Sequence, residues 1–131
     1  MRKLDKRGVA ALEFCLVALP LFILMFAIFD LGRYAITMQS LRMLANAGAR
    51  AVMISYDATN NTYTGCTGDP LPSLAEKKAV APMIGGLSPT LNTTTGGSAL
   101  TVTASQPGFT MLTPIWGTAF NAPSASTSIP F

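Results

Sequence analysis

The sixteen residues 14–29 of this chain, FCLVALPLFILMFAIF, contain no charged side chain. The apolar stretch extends over residues 9–31, where only Glu13 and Asp30 interrupt it. A membrane-spanning helix needs about 20 predominantly apolar residues, so this stretch is long enough to cross a bilayer. The sequence therefore predicts a transmembrane helix over residues 9–31, which leaves one modest domain for the rest of the 131 residues.

A cleaved secretory signal is the alternative explanation of such a stretch. Its apolar core is about 7 to 15 residues long and ends at a small-x-small site. The run in this chain is longer, and the FDLGRYAITM that follows it contains no such site. Four basic residues precede the run, and retained Lys and Arg mark the cytoplasmic side of a membrane protein. We therefore expect a membrane anchor with a cytoplasmic N-terminus and with the residues after about position 32 outside.

The helical pattern continues beyond the apolar run. Apolar or small residues recur there at spacings of four, three, four, three and four, which is typical of one helix face. These stripe residues are Tyr34, Met38, Leu41, Ala45, Gly48 and Val52. We expect one helix from about Val9 to Ser55, with a lipid-facing first half and an amphipathic second half over residues 32–56. The stripe either packs against partner helices, which its small residues would allow to come close, or covers the chain's own domain.

Residues 57–131 predict a small domain outside the membrane. Its first part, residues 57–72, is rich in Asn, Gly and Pro and predicts a loop. Ser73 and Glu76 then fit a capping box, in which each residue satisfies a backbone amide at the start of a helix. The capping box predicts a short helix over about residues 74–84.

The rest of this domain predicts two or so antiparallel strands. Leu100, Val102 and Ala104 alternate with Thr and Ser, which is the period of a half-buried strand. The C-terminal SASTSIPF predicts an edge strand, SPTLNTTTGGS predicts a loop, and a short turn of helix is expected near Ile115. The expected fold class is α+β: a long N-terminal helix with a small external layer of one short helix and these strands.

The composition excludes several kinds of chemistry. The chain has no histidine, so it cannot form a His-based triad or proton relay, and its external acids are scattered, which argues against an enzyme. Cys15 lies in the apolar run and Cys66 in a loop, so the two cannot reach each other. Cys66 is then either unpaired or paired between molecules; we expect it to be unpaired, and we expect no metal site to form. No basic patch interleaves with aromatic residues. We therefore expect no catalytic residue, cofactor, metal, nucleic acid or small-molecule substrate.

Glu13 is the least expected residue of the apolar stretch. A charge near the bilayer interior costs about 2.5 to 3.5 kcal/mol, so an ionisable residue there is a candidate for function. The structural alternative is that Glu13 lies about one turn inside the membrane and reaches its surface. Glu13 stands five residues after Gly8, and Gly8 directly follows two basic residues.

This arrangement resembles the processing site of type IV prepilins. In that family a short basic leader ends in Gly, a membrane peptidase cuts after it, and Glu is the fifth residue of the mature protein. The resemblance implies that residues 1–8 are a leader and that the cut falls between Gly8 and Val9. It also implies that Glu13, with Phe14, takes part in docking between subunits.

Residues 7–53 more closely resemble the TadE-like family, small pilin-like proteins of tight-adherence (Flp, type IVc) pilus systems. They contain the family's basic-Gly start, its Glu-Phe pair, a Pro in the apolar run, an acid–Gly–Arg exit as DLGR, and a small-residue segment at 45–50. The resemblance implies a minor pilin or pseudopilin of the bacterial inner membrane, with its C-terminal domain periplasmic or extracellular. Its implied partners are membrane lipid, a prepilin peptidase, other pilins or pseudopilins, and the pilus assembly platform.

Two other classes of function remain open on the sequence. One is a single-pass, membrane-anchored binding module that is not processed, which predicts a full-length mature chain. The other is an accessory subunit of an envelope secretion machine that stays in the membrane, which predicts its absence from shed fibres.

Overall fold

Helix α1, Lys6–Ile54, is the longest element of the protein, with 49 residues. The computed structural model describes residues 6–57, 62–63, 68–84, 86, 88–96 and 98–130. The prediction of one helix through both the apolar run and the amphipathic segment is confirmed, and Pro20 lies inside it. The helix begins before the expected start at Val9, since the Lys and Arg that precede Gly8 are good helix formers.

A two-stranded ribbon follows the long helix. Strand β1, Tyr56–Asp57, pairs antiparallel with strand β2, Thr62–Tyr63. Asp57 of β1 and all of β2 fall within residues 57–72, so the prediction of a loop throughout this segment is wrong. Cys66, which we expected to be unpaired, lies outside the described residues.

Helix α2, Leu74–Val80, begins at the predicted capping box. The Ser73 hydroxyl accepts a hydrogen bond from the Ala75 amide at 3.2 Å, and the Glu76 carboxylate accepts one from the Ser73 amide at 3.4 Å. Two backbone donors that a helix start leaves free are thereby satisfied.

The helix α2 is shorter than the predicted residues 74–84. Its last helical residue is Val80, and Ala81 has φ −134° and ψ 78°, outside the helical region. Proline disfavours the helical conformation of the residue before it, so Pro82 ends the α-helix at this point. Residues Pro82–Ile84 continue as one turn of 3-10 helix.

Three antiparallel strands form the main sheet, in the order β3-β4-β5. They are β3, Thr90–Thr95, β4, Ala99–Ser105, and β5, Ser124–Pro130. The central strand β4 and the C-terminal edge strand β5 were predicted, and both predictions are confirmed. The prediction of a loop before residue 99 is wrong, because β3 occupies most of it. A second 3-10 turn, Pro114–Trp116, confirms the expected turn near Ile115.

The core lies between the external half of α1 and one face of the sheet. Alternate residues of β4 point toward the helix, and the helix contributes two fully buried leucines. The core side chains are Leu41, Leu44, Ala45, Ala49, Val52, Ala81, Ile84, Leu91, Leu100, Val102 and Ala104. The α+β fold class is confirmed, with one more strand in the main sheet than the two or so expected.

Candidate functional site

The first half of α1 contributes no buried side chain to the domain. No side chain from Gly8 to Phe29 is buried. This part of the helix is long and apolar enough to cross a membrane. At a rise of about 1.5 Å per residue, residues 9–29 extend over about 30 Å, which is the thickness of a bilayer's hydrocarbon core.

The predicted processing residues lie on this exposed part of the helix. Gly8 and Val9 are both exposed, and both are helical. Apart from its chain neighbours and the backbone of its own helix, no described heavy atom lies within 4 Å of the position that a Cβ on Gly8 would occupy. Packing among the described residues therefore does not require a glycine here, although glycine inside a helix costs about 1 kcal/mol relative to alanine.

The predicted docking residues follow one turn later. Glu13 and Phe14 are exposed on the helix surface. Among the side chains that the structure describes, none forms an ion pair with Glu13. The Cα of Glu13 lies about 6 Å along the helix axis from that of Val9. The structure thus brings the processing and docking residues to one end of the helix, away from the domain.

The predicted stripe lies at the opposite end of α1, beneath the chain's own sheet. Leu41, Ala45, Gly48 and Val52 are buried there, and the remaining two stripe residues are partly buried. A Cβ on Gly48 would come within 2.9 to 3.0 Å of side-chain atoms of the sheet and of the loop before α2. The glycine allows the sheet to approach the helix closely. Of the two uses left open by the sequence, the structure shows the second, covering of the chain's own domain.

Two buried apolar residues of the helix lie outside the predicted stripe. Leu44 and Ala49 lie beside it and also face the sheet. The stripe followed a single row of residues, whereas the buried face of a surface helix is at least about 100° wide and includes a second row. Counting both rows in the sequence would have found them.

Asp30 forms a site that the sequence did not predict. Its side chain is 1% exposed. Its carboxylate accepts hydrogen bonds from the Leu112 amide at 3.1 Å, the Thr113 amide at 2.7 Å and the Thr113 hydroxyl at 2.6 Å. Arg33 also donates to it, at 3.4 Å. We call this set of contacts the Asp30 clamp, because it ties the loop between β4 and β5 to the end of the apolar run.

An aromatic cluster lies one turn above the clamp. The ring of Tyr34 packs against Phe109, with centroids 6.2 Å apart, and against Phe120 at 5.1 Å. Trp116 meets Phe120 edge-on at 5.7 Å. The guanidinium of Arg33 lies 5.3 Å from the ring centroid of Phe109, a cation–π distance. This cluster and the clamp together fix the loop at the point where α1 leaves the apolar run.

A second face of the external helix carries an open apolar groove of about 570 Å³. Met43, Ala47, Ala51 and Ile54 line it from α1, and side chains before and within α2 close its other side. Arg50 adds a positive charge to its wall. The groove and the buried stripe therefore occupy different faces of the same helix.

A comparison with known protein families matches most of helix α1. Residues 8–50 match the family model of TadE-like protein. The resemblance predicted from the sequence is thereby confirmed over this segment, which is 43 of the 131 residues. The TadE-like segment covers the exposed first half of α1, the Asp30 clamp residue and most of the stripe, while the sheet lies outside it. No curated protein and no solved structure matched the chain.

Proposed function

We propose that the chain is a minor pilin or pseudopilin that helps to assemble a tight-adherence (type IVc, Flp) pilus used in surface attachment. The match of residues 8–50 to TadE-like protein carries this proposal, because that segment contains both Gly8 and Glu13. In this role the chain sits in the bacterial inner membrane with its N-terminus in the cytoplasm. Its domain is periplasmic or extracellular, and it has no catalytic role and no cofactor.

The first step in this role is removal of the leader, residues 1–8, by a prepilin peptidase. The peptidase hydrolyses the peptide bond between Gly8 and Val9. Gly8 weakens the helix, and no residue that the structure describes outside its own helix packs against it. A requirement of the peptidase for glycine before the cut explains a residue that the fold itself does not need.

The second step is docking of the helix against other pilins or pseudopilins. The cut frees an α-amine at Val9, which is positively charged when protonated. Glu13 of one subunit can neutralise the amine of another, so that neither charge stays unpaired next to lipid. An unpaired charge in an apolar environment is costly, and the pair therefore favours lateral association of the helices.

The mass of the membrane-extracted protein tests the cut. In cells with an active prepilin peptidase we expect the chain to lack residues 1–8, and we expect Gly8→Leu to keep them. Gly32→Leu is the matched control, because Gly32 lies in the same helix and is equally free of neighbours. A wild-type chain that still begins at Met1 in such cells contradicts the proposed processing.

Substitution of Glu13 tests the docking step separately. We expect Glu13→Gln to be cut normally but to lower pilus assembly, because the variant keeps the shape of the side chain and loses its charge. Glu13→Asp keeps the charge and should retain more assembly. Counting pili on cells that express each variant measures the effect. Unchanged piliation with Glu13→Gln would remove this residue from the docking interface.

A further inference from the structure

The loop between β4 and β5, residues 107–122, is uncharged and carries exposed apolar side chains. Its sequence PGFTMLTPIWGTAFNA contains no acidic or basic residue. Leu112 is 75% exposed and Ile115 is 56% exposed. Large apolar side chains gain about 25 cal/mol for each Å² that is removed from water, so both residues would be stabilised by an apolar surface.

Contacts along the loop show which part of it lies nearest the apolar run of α1. The loop meets the helix first through Phe109, which packs against Tyr34. It then reaches Asp30, which accepts two hydrogen bonds from Thr113. It returns to Tyr34 through Phe120. Because Asp30 lies four residues, or about 6 Å, before Tyr34 on the helix, the middle of the loop is its part nearest the apolar run.

The position of Asp30 on the helix determines how close the middle of the loop lies to the membrane. Residues 9–29 match the thickness of the hydrocarbon core, so Asp30 comes at its outer boundary. The clamp holds the Leu112 amide 3.1 Å from the Asp30 carboxylate. The exposed Leu112 and the neighbouring Ile115 are therefore held within a few ångströms of the level where the acyl chains begin.

We propose that residues 111–116 form a membrane-interface anchor, with Leu112 and Ile115 inserted among the lipid headgroups and the first acyl carbons. This inference rests on the membrane-spanning helix of the proposed function. Trp116 directly follows Ile115 and packs against Phe120, and Trp is one of the residues enriched at this depth of a bilayer. The anchor restrains the domain against the membrane surface at a second point besides the helix.

Lipid is the occupant that the contacts favour over a neighbouring protein. The exposed side chains are continuous with the end of the lipid-facing helix, because the clamp joins the two directly. No charged residue occurs after Lys78, so nothing in the loop opposes entry into an apolar layer. The Asp30 charge itself is covered by backbone and hydroxyl donors, which reduces its cost near lipid.

The chain's single tryptophan, Trp116, allows a direct test. We would reconstitute the full chain in phosphatidylcholine vesicles that carry bromine either near the headgroup or near the chain ends. We expect headgroup-proximal bromine to quench Trp116 fluorescence more strongly than deep bromine. The double variant Leu112→Ser with Ile115→Ser should lose most of this quenching. Ile54 is 85% exposed and lies about 36 Å from Asp30 along the helix, so Ile54→Ser should leave the quenching of Trp116 unchanged.

A second reporter separates this inference from the proposed function. In the variant Phe22→Trp with Trp116→Phe, the reporter lies in the middle of the apolar run and should be quenched by deep bromine. If this reporter is not quenched, the helix does not span the membrane, and the anchor fails with it. If it is quenched while wild-type Trp116 is not, the spanning helix stands and the anchor is overturned.

The double variant also distinguishes lipid from protein. Quenching of Trp116 that is equal in the wild type and in the double variant would overturn the role of Leu112 and Ile115. An unquenched Trp116, together with loss of pilus assembly in the double variant, would instead assign the two side chains to a contact with another subunit. Circular dichroism should be the same for the wild type and the double variant, because Leu112 and Ile115 are both exposed.

Discussion

The two halves of helix α1 share one continuous backbone but lie in different surroundings. From Gly8 to Phe29 no side chain is buried, whereas the external half contributes fully buried leucines to the core. The residues of the external half are therefore explained by the sheet that packs against them. The described part of the domain does not account for the residues of the first half. We propose that these residues contact lipid, a peptidase and neighbouring subunits instead.

Comparing two glycines and two acidic residues of the helix illustrates this difference. Gly48 is required by the close approach of the sheet, while Gly8 has open space around it. Asp30 is buried and bound by several donors, while Glu13 is exposed and has no ion pair with any described side chain. In each pair the residue nearer the domain serves the fold and, in our proposal, the one nearer the N-terminus serves assembly. Substituting both members of a pair tests this division.

The largest expected difference concerns two leucines. Leu44 is fully buried, so Leu44→Ala should lower the free energy of unfolding of the domain by about 2 to 5 kcal/mol. Leu24 is exposed in the first half, so Leu24→Ala should leave domain stability unchanged. Denaturant titration of the full chain in detergent micelles, followed by Trp116 fluorescence, measures both. Equal losses for the two variants would contradict the division of the helix.

A smaller effect is expected at the glycines. Gly48→Leu forces a side chain against Leu91, Val102 and the loop before α2, and overpacking of this kind costs about 1 to 3 kcal/mol. Gly32→Leu places the same side chain where no described atom outside the neighbouring helix backbone lies within 4 Å of the Cβ position, so it should not destabilise the domain. The same titration compares them. A stable Gly48→Leu variant would mean that the sheet can move away from α1 at little cost.

Much of this division could be predicted from sequence, because it depends on local patterns. The uncharged run and the stripe predict α1, and the alternation around Val102 predicts β4. Strand β3 was missed because TLNTTT offers only Leu91 as a large apolar residue, and threonine favours a strand chiefly when a neighbouring strand is present. Leader processing at Gly8 and docking through Glu13 stay predictions, since both depend on molecules other than this chain.

The Asp30 clamp could not be predicted from any local pattern. Its backbone donors lie 82 and 83 positions away along the chain. An acid next to an apolar run has the same local appearance whether it is solvated at a membrane surface or bound by backbone amides. Only the three-dimensional course of the loop distinguishes the two, and that course depends on the pairing of β4 with β5.

The smallest expected effect is confined to the loop and compares the two acids. Asp30→Ala removes the acceptor of the Leu112 and Thr113 amides, so hydrogen exchange at both should become faster. The Val102 amide, in the central strand, should keep its protection, because local opening of a surface loop does not require the core to unfold. Exchange measured residue by residue on the full chain in micelles gives all three rates.

Glu13→Ala is the matched control for this measurement. Glu13 has no described contact with the domain, so its loss should leave exchange at Leu112 and Thr113 unchanged. Faster exchange at these amides in Glu13→Ala would show that the first half of α1 is coupled to the loop. The helix would then act as one unit, and the residues of its first half would have to be explained partly by the domain.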